Sequence, residues 1–97
     1  MANMLSINSN NNLVKKWNYG EYASSNYGSH TQGFSDNYGN DYYFSYETLV
    51  AFSSAKHGLV VQENVWSNTT GKHLNWINRD KDSRVTEEVF NQLLSEV

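Results

Sequence analysis

The chain has 97 residues, and a chain of this length buries one hydrophobic core, so we expect a single domain. The absence of cysteine excludes disulfides and thiolate metal sites, and a formal net charge of −3 disfavours nucleic acid, whose phosphates need clustered Lys and Arg. The 3 Trp, 7 Tyr and 4 Phe supply the bulky groups that disordered chains lack.

Residues 8–12 read NSNNN, a polar run without side chains to bury. We therefore expect residues 1–12 to form a flexible N-terminal lead and residues 13–97 to form the domain. The lead has neither a basic start nor an apolar stretch, and no run of about 18 apolar residues occurs in the chain. We therefore expect neither a secretory signal nor a membrane span, and we expect the protein to stay in the cytoplasm.

Five segments between residues 13 and 65 have the composition of β-strands, since they alternate in polarity or are rich in aromatic and β-branched residues. The apolar run TLVAF and the β-branched run LVVQE are joined by a polar turn, and they predict the hairpin at the heart of the sheet. The predicted strands are residues 13–19, 29–35, 41–46, 48–52 and 59–63.

The tripeptide Asn-Tyr-Gly occurs three times, at residues 18–20, 26–28 and 37–39. Glycine reaches positive φ without steric cost and asparagine tolerates it, so each copy can reverse the chain. The spacing suits turns between successive strands rather than the longer repeats of a solenoid. We expect the tyrosine of each copy to lie at the rim of the fold.

After residue 65 the apolar residues recur three and four positions apart, the spacing of an amphipathic helix. Ser67 is a suitable N-cap for a helix over residues 68–78, and Thr86 is a suitable N-cap for a second helix over residues 87–96. The charged connector NRDKDS separates the two helices. The sequence therefore predicts an α+β fold, in which a small antiparallel sheet of four to five strands (residues 13–65) packs against two C-terminal helices.

Three segments resemble an uncharacterised family of small bacteriophage and prophage proteins. They are SYETLVAF at residues 45–52, WSNTTGKHLNWI at residues 66–77 and, with less similarity, NYGSH at residues 26–30. The resemblance implies a phage or mobile-element origin, and hence the cytoplasm of a bacterial host. It implies no activity and carries over no functional residue.

The tyrosines are too numerous to be buried together in so small a core, so some of them must face water. Tyrosine gives a large contact area at little entropic cost, and its occurrence in Asn/Ser/Gly-rich turns is typical of adaptable binding loops. The opposing interpretation is that these rings only stabilise cross-strand pairs. The predicted partner-binding residues are Tyr19, Tyr22, Tyr27, Tyr38, Asp36 and Asp41.

This surface favours a small non-catalytic binding protein. Small phage proteins are often inhibitors of host machinery, so by analogy we expect an inhibitor of a host protein such as a CRISPR or other defence nuclease. The helix stripe that ends at Val97 can also be shared between copies, which keeps a homodimer open.

The alternative is a nucleotide- or nucleic-acid-binding module that uses the segment from Thr69 to His73 and the aromatic loops. Hydroxyls, a helix start and a lysine together can hold an anion, although the single glycine excludes a Walker loop. The residues of this alternative anion site are Thr69, Thr70, Lys72, His73 and Asn75.

No enzyme is predicted, because no strained Gly-x-Ser-x-Gly elbow occurs and the carboxylate pairs at residues 80–82 and 87–88 lie on charged segments. No metal or other cofactor is predicted either, since His30, His57 and His73 lack the paired spacing of ligands on one element. We expect His57 to be solvated in its turn and His73 to pack inward with its ring nitrogens bonded.

Overall fold

The computed structural model describes residues 13–22 and 30–97, which form a five-stranded antiparallel sheet and two helices. The strands follow one another in the order β1-β2-β3-β4-β5, and a short 3-10 turn at Lys81–Ser83 separates the helices. The expected lead over residues 1–12 and the second Asn-Tyr-Gly copy lie outside the described residues. The elements are β1 Leu13–Asn18, β2 Gln32–Asp36, β3 Asp41–Ser45, β4 Thr48–Ser54, β5 Gly58–Val61, α1 Asn68–Ile77 and α2 Glu87–Leu94.

The two helices cover opposite faces of the sheet. Phe52 of β4 packs in one apolar cluster with Phe90 and Leu94 of α2. Its neighbour Ala51 packs in a second cluster with Leu74 of α1. Successive residues of a strand point to opposite faces, so the sheet lies between α1 and α2. The predicted α+β fold is confirmed, and the sheet is covered on both sides.

A β-bulge in the pairing of β3 with β4 adjusts which residues reach each face. Tyr43 pairs with Ala51, but the next residue, Phe44, pairs with Leu49, which leaves Val50 as the extra residue. Val50 therefore joins Ala51 in the cluster beneath α1, and Leu49 returns to the cluster beneath α2. Phe44, Leu49, Val50 and Ala51 are buried, and Tyr43 is partly exposed.

Both helices begin where the sequence predicts. The Ser67 hydroxyl accepts the N–H of Thr70, and the Thr86 hydroxyl accepts the N–H of Val89, so each cap satisfies a backbone donor that the helix leaves free. The second helix ends at Leu94 rather than at residue 96, and the Ser95 N–H donates to the Asn91 carbonyl in its last turn. Among the described residues, no helix has the length and apolar character that a bilayer crossing requires.

The predicted hairpin of β4 and β5 forms, but it lies at one side of the sheet with β5 at its margin. The segment before α2 runs along that margin. Val85 donates its N–H to the Val61 carbonyl and accepts the N–H of Glu63, and it forms a parallel bridge with Gln62. The chain itself therefore occupies the margin at the C-terminal end of β5.

The first and third Asn-Tyr-Gly copies differ in structure. Gly39 has φ +84°, and residues 37–39 form the predicted turn between β2 and β3. Tyr19 of the first copy does not lie at the rim as expected. Its ring packs edge-on against Tyr43, and its hydroxyl donates to the Phe44 carbonyl at 2.9 Å. Burial, with a smaller contribution from Tyr22, raises the pKa of the Tyr19 hydroxyl.

Gly33 is required by the indole ring that covers it. It pairs with Trp17 across β1 and β2, and a Cβ added at Gly33 would lie 2.5 Å from Cζ3 of that ring. The ring cannot easily move, because its Nε1 donates to the Ser35 hydroxyl at 3.0 Å.

We expect Gly33→Ala to lower the free energy of unfolding by about 1–3 kcal/mol, the usual cost of overpacking. Urea denaturation of the purified protein measures the change. The control is the double-mutant cycle with Trp17→Ala, in which removal of the ring should abolish most of the penalty. An equal penalty with and without the ring would contradict this role for Gly33.

Candidate functional site

His73 joins α1 to the end of β3 and to the segment after β1, through the two nitrogens of its ring. The side chain has 0% exposure, as expected for a histidine on the inner side of the helix. Its Nδ1 lies 2.7 Å from the Ser45 hydroxyl at the end of β3, and its Nε2 lies 2.6 Å from the Tyr22 hydroxyl. The Ser45 hydroxyl also contacts the Thr70 hydroxyl at 3.1 Å. The expected inward packing of His73 is confirmed.

The burial of this ring keeps it neutral at physiological pH. Desolvation, with smaller contributions from the charges of Lys72 and His30, lowers the pKa of His73 to about 4. The Ser45–His73 pair has the spacing of a nucleophile and its base, but Ser45 is only 2% exposed. Neither group is open to a substrate in this conformation, so the pair acts as a buried polar joint.

Four aromatic or imidazole side chains surround His73 on the outer side of the joint. The Tyr22 ring stands edge-on to His73 and to Trp76, with centroid distances of 5.6 and 4.9 Å. The ring centroids of His30 and Tyr46 lie 4.5 Å apart, and those of Tyr46 and His73 lie 5.6 Å apart. The cluster therefore gathers residues from four separate parts of the chain.

Tyr46 holds an unusual backbone conformation in this cluster. Its φ is +57°, in the left-handed region that bulky residues rarely adopt. Its N–H donates to the His30 carbonyl at 2.9 Å, which helps to hold the conformation. Nearly half of the Tyr46 side chain remains exposed, so the cluster presents an aromatic surface to solvent.

Two adjoining grooves continue this surface along the outer side of α1. They have volumes of about 430 and 400 Å³. They share Lys72, Asn75 and Lys81, and their walls also include Arg79 and Arg84. Four of the seven lysines and arginines of the chain thus line these grooves. We define the basic–aromatic surface as Tyr22, Tyr46, Lys72, Trp76, Arg79, Lys81 and Arg84.

Among the residues that the structure describes, the cations of this surface lack carboxylate partners within 4.0 Å. Among residues 13–22 and 30–97, the ion pairs within 4.0 Å are those of Glu96 with Lys56 and His57, at the far end of the β4–β5 hairpin. The Lys72 ammonium instead lies over the rings of Tyr22 and Trp76, at 4.7 and 5.3 Å from their centroids. The rings hold this charge in place without neutralising it.

Arg84 is the most enclosed of the four cations. Its Nη2 donates to Asn75 Oδ1 at 2.9 Å and to the Asn78 carbonyl at 3.3 Å, so the guanidinium ties α1 to the segment before α2. Its Nε is buried and has no acceptor among the described residues. Desolvation lowers the pKa of Arg84, but a guanidinium remains protonated in proteins. The groove therefore contains a half-buried positive charge that is only partly satisfied.

The structure divides the predicted anion site between two sides of α1. Thr70 and His73 point inward and are committed to the buried joint. Lys72 and Asn75 line the outer grooves, and Thr69 is exposed. The five residues therefore do not converge on one point, and the positive groove depends on cations beyond this set.

The predicted partner-binding residues are also separated. Tyr38 is 74% exposed at the tip of the β2–β3 turn, whereas Tyr22 lies in the aromatic cluster and Tyr19 is packed. Asp36 and Asp41 support the turn beside Tyr38. Tyr27 lies outside the described residues.

Asp36 organises the β2–β3 turn. Its carboxylate accepts the N–H groups of Tyr38 and Asn40, the Asn40 amide and the Tyr42 hydroxyl. Burial alone would raise the pKa of Asp36, but these hydrogen bonds outweigh it and lower the pKa. Asp41 accepts the Ser35 hydroxyl at 2.7 Å. Both carboxylates therefore act within the fold.

Sequence reasoning missed the residues that complete the basic–aromatic surface. The residues that were not among the predicted site residues are Tyr46, Trp76, Arg79, Lys81 and Arg84, although the charged connector after α1 holds two of them. The mixed signs of that connector suggested solvation rather than a site. His57 was expected to be solvated, and it instead lies 3.0 Å from Glu96 Oε1 and is mostly buried.

A comparison with protein families gives a match over most of the chain. The family model described as "Family of unknown function (DUF8033)" matches residues 8–92. The chain belongs to this family. The match spans all five strands, α1 and the greater part of α2, so the basic–aromatic surface lies wholly within the family region. No curated protein and no solved structure matches the chain. Because the family has no known function, membership assigns no role to any residue.

The neutral state of His73 gives folding stability a defined pH dependence. Its pKa is lower in the folded protein, near 4, than its ordinary value of 6.5, so the unfolded chain binds the proton more readily. The stability contribution is complete above pH 6.5 and is lost as the pH falls toward 4. We expect the free energy of unfolding to drop across this window by on the order of 3 kcal/mol.

Urea denaturation at several pH values measures this drop. His73→Gln should remove it, whereas the control His57→Gln should retain it. In the unmodified protein, NMR titration should show that the His73 ring protonates only near pH 4. Protonation of that ring near pH 6.5 with the fold intact would contradict the role of the joint.

Proposed function

We propose that this chain is a non-catalytic binding protein whose basic–aromatic surface binds a phosphate-bearing partner, either a nucleotide or a single-stranded nucleic acid. The observation that carries the proposal is the convergence of four cations on two adjoining grooves without a carboxylate within 4.0 Å among the described residues. Grooves of this size are within the range of small-molecule sites.

The local charge opposes the charge of the whole chain. The net formal charge is −3, and the four cations of the surface contribute +4, so the remainder of the chain carries −7. Asp80 and Asp82 flank Lys81, but the Asp80 carboxylate accepts the Asp82 N–H within the 3-10 turn. A phosphate would therefore be attracted to the grooves and repelled elsewhere, which favours a local site over wide contact with a duplex.

The aromatic rings add a second kind of contact. Single-stranded nucleic acids are commonly bound by cationic grooves with aromatic side chains beside them, because each base has a face or edge that a ring can contact. Tyr46 is 45% exposed, and Tyr22 and Trp76 are partly exposed. Lys72 over two of these rings would be well placed to contact a phosphate next to a bound base.

Fluorescence anisotropy with a labelled oligothymidylate, with ATP as competitor, tests the proposal. We expect binding that weakens steeply between about 50 mM and about 200 mM salt, because each phosphate contact releases a counterion. The double variant Lys72→Gln, Lys81→Gln should weaken binding by about tenfold or more and reduce the salt dependence. Competition by ATP would distinguish a nucleotide site from one that needs a strand.

The matched control is Lys15→Gln, Lys16→Gln, which removes two exposed charges from β1, away from the grooves. It should leave binding within about twofold of the unmodified protein. Equal weakening by the two double variants would show non-specific attraction, and an absence of binding to both probes would refute the proposal.

A second candidate function is inhibition of a host protein, such as a CRISPR or other defence nuclease, by a protein of phage origin. The exposure of Tyr38 favours this candidate. The ring projects from a turn that Asp36 makes rigid through four hydrogen bonds, and rigid aromatic side chains are frequent anchors at protein interfaces. Such a contact would leave the basic–aromatic surface free.

We expect Tyr38→Ala to weaken binding to such a nuclease by about thirtyfold, the effect of an interface residue worth about 2 kcal/mol. Affinity capture from a bacterial host would identify the nuclease, and its purified form would give the inhibition constant. Tyr38→Phe, which keeps the ring, is the matched control and should retain inhibition. Unchanged inhibition by the alanine variant would exclude Tyr38 as the anchor.

A further inference from the structure

A separate cleft lies on the opposite side of the sheet, between α2 and the start of β4. It has a volume of about 310 Å³. The segment after β5 closes one side of it. The residues that line the cleft are Thr48, Leu49, Gln62, Trp66, Glu87, Phe90, Asn91 and Leu94. No lysine or arginine is among them, so this cleft is chemically distinct from the basic–aromatic surface.

The cleft has an apolar floor. Leu49, Phe90 and Leu94 belong to the buried cluster beneath α2, and they reach the cleft from its inner side. Trp66 stands at the opening and is 39% exposed, which is high for so large an apolar side chain. Glu87, from the first turn of α2, adds a negative charge to the wall. These residues suit an apolar group that is neutral or positively charged.

Gln62 is the unusual residue of the wall. It is only 3% exposed, and its Nε2 is buried without an acceptor among residues 13–22 and 30–97. Its backbone is fixed, because its N–H donates to the Val50 carbonyl and the residue forms the bridge with Val85. The side chain therefore cannot leave the interior by a shift of the backbone. A buried amide donor without a partner is rare in folded proteins, because it loses its hydrogen bond to water and no protein acceptor replaces that bond.

We infer that this cleft binds a small molecule with an apolar ring and a carbonyl group, the carbonyl accepting a hydrogen bond from the Gln62 amide. The terminal torsion of glutamine is broad, so the amide can turn toward a ligand without leaving its site. The apolar ring would lie on Phe90 and Leu94 beside Trp66. Glu87 would disfavour a carboxylate ligand. This site does not depend on the phosphate-bearing partner proposed above.

Benzamide is the simplest probe of this chemistry, since it joins an aromatic ring to an amide carbonyl. NMR titration of the full chain should shift the side-chain signals of Gln62, Trp66 and Phe90, with intermolecular NOEs from the benzamide ring to Phe90 and Leu94. Benzoate, which has the same ring and a negative charge, should bind at least about tenfold more weakly because of Glu87.

Gln62→Met keeps the length of the side chain and removes the amide. It should weaken benzamide binding by about five- to tenfold, the effect of one lost hydrogen bond. The matched control is Gln92→Met, at an exposed position of α2 outside the cleft, which should leave binding unchanged.

Two results would overturn the assignment. One is benzamide affinity in Gln62→Met equal to that of the unmodified protein. The other is an absence of NOEs to Phe90 and Leu94 in the unmodified protein, which decides the matter even if the variant does not fold. Loss of oligothymidylate binding in the earlier experiment would leave this assignment untouched.

Discussion

The position of α1 depends on the buried bonds of His73. The helix has ten residues and contains Gly71, so its intrinsic tendency to form is small and tertiary contacts must hold it. Its apolar contact with the sheet is limited, since Leu74 is its one buried apolar residue. The ring of His73 adds two hydrogen bonds to this limited apolar contact, one with the Ser45 hydroxyl and one with the Tyr22 hydroxyl. The cost of burying an imidazole is offset because both nitrogens have partners.

The two faces of the sheet are held by different kinds of interaction. Beneath α2 the contacts are apolar and aromatic, as in the edge-on pair of Phe52 and Phe90. Beneath α1 a small apolar cluster lies next to the polar joint of His73. The outer surfaces differ in the same sense. The side of α1 presents cations and aromatic rings, whereas the cleft beside α2 combines an apolar floor with the carboxylate of Glu87 and with the Gln62 amide, whose Nε2 has no acceptor among residues 13–22 and 30–97.

Local patterns in the sequence predicted the local structure. The caps Ser67 and Thr86 determine where the helices begin, and each works through a bond within three residues along the chain. The turn at Gly39 likewise follows from the conformational freedom of one residue. These interactions are encoded over a few positions, so a single sequence is enough to find them.

The site could not be predicted in the same way, because its contacts join distant positions. Tyr22 and His73 are 51 residues apart, and their bond follows from the topology of the sheet. The bulge that redirects Val50 has no signature in the apolar run TLVAF. The lysines and arginines after α1 looked like a solvated connector, and only the tertiary fold shows that Arg84 turns back to Asn75.

The bonds between Val85 and the margin of β5 have a consequence for biosynthesis. Until residue 85 has been made, the backbone groups of Val61 and Glu63 have no partner, and a strand with free N–H and C=O groups readily recruits another chain. At the other margin, the exposed side chains of Lys15 and Lys16 on β1 discourage such recruitment by their charge. A truncated product that ends before residue 85 would therefore leave the C-terminal end of β5 open and be prone to aggregation, whereas in the chain that includes Val85 the backbone itself covers this end.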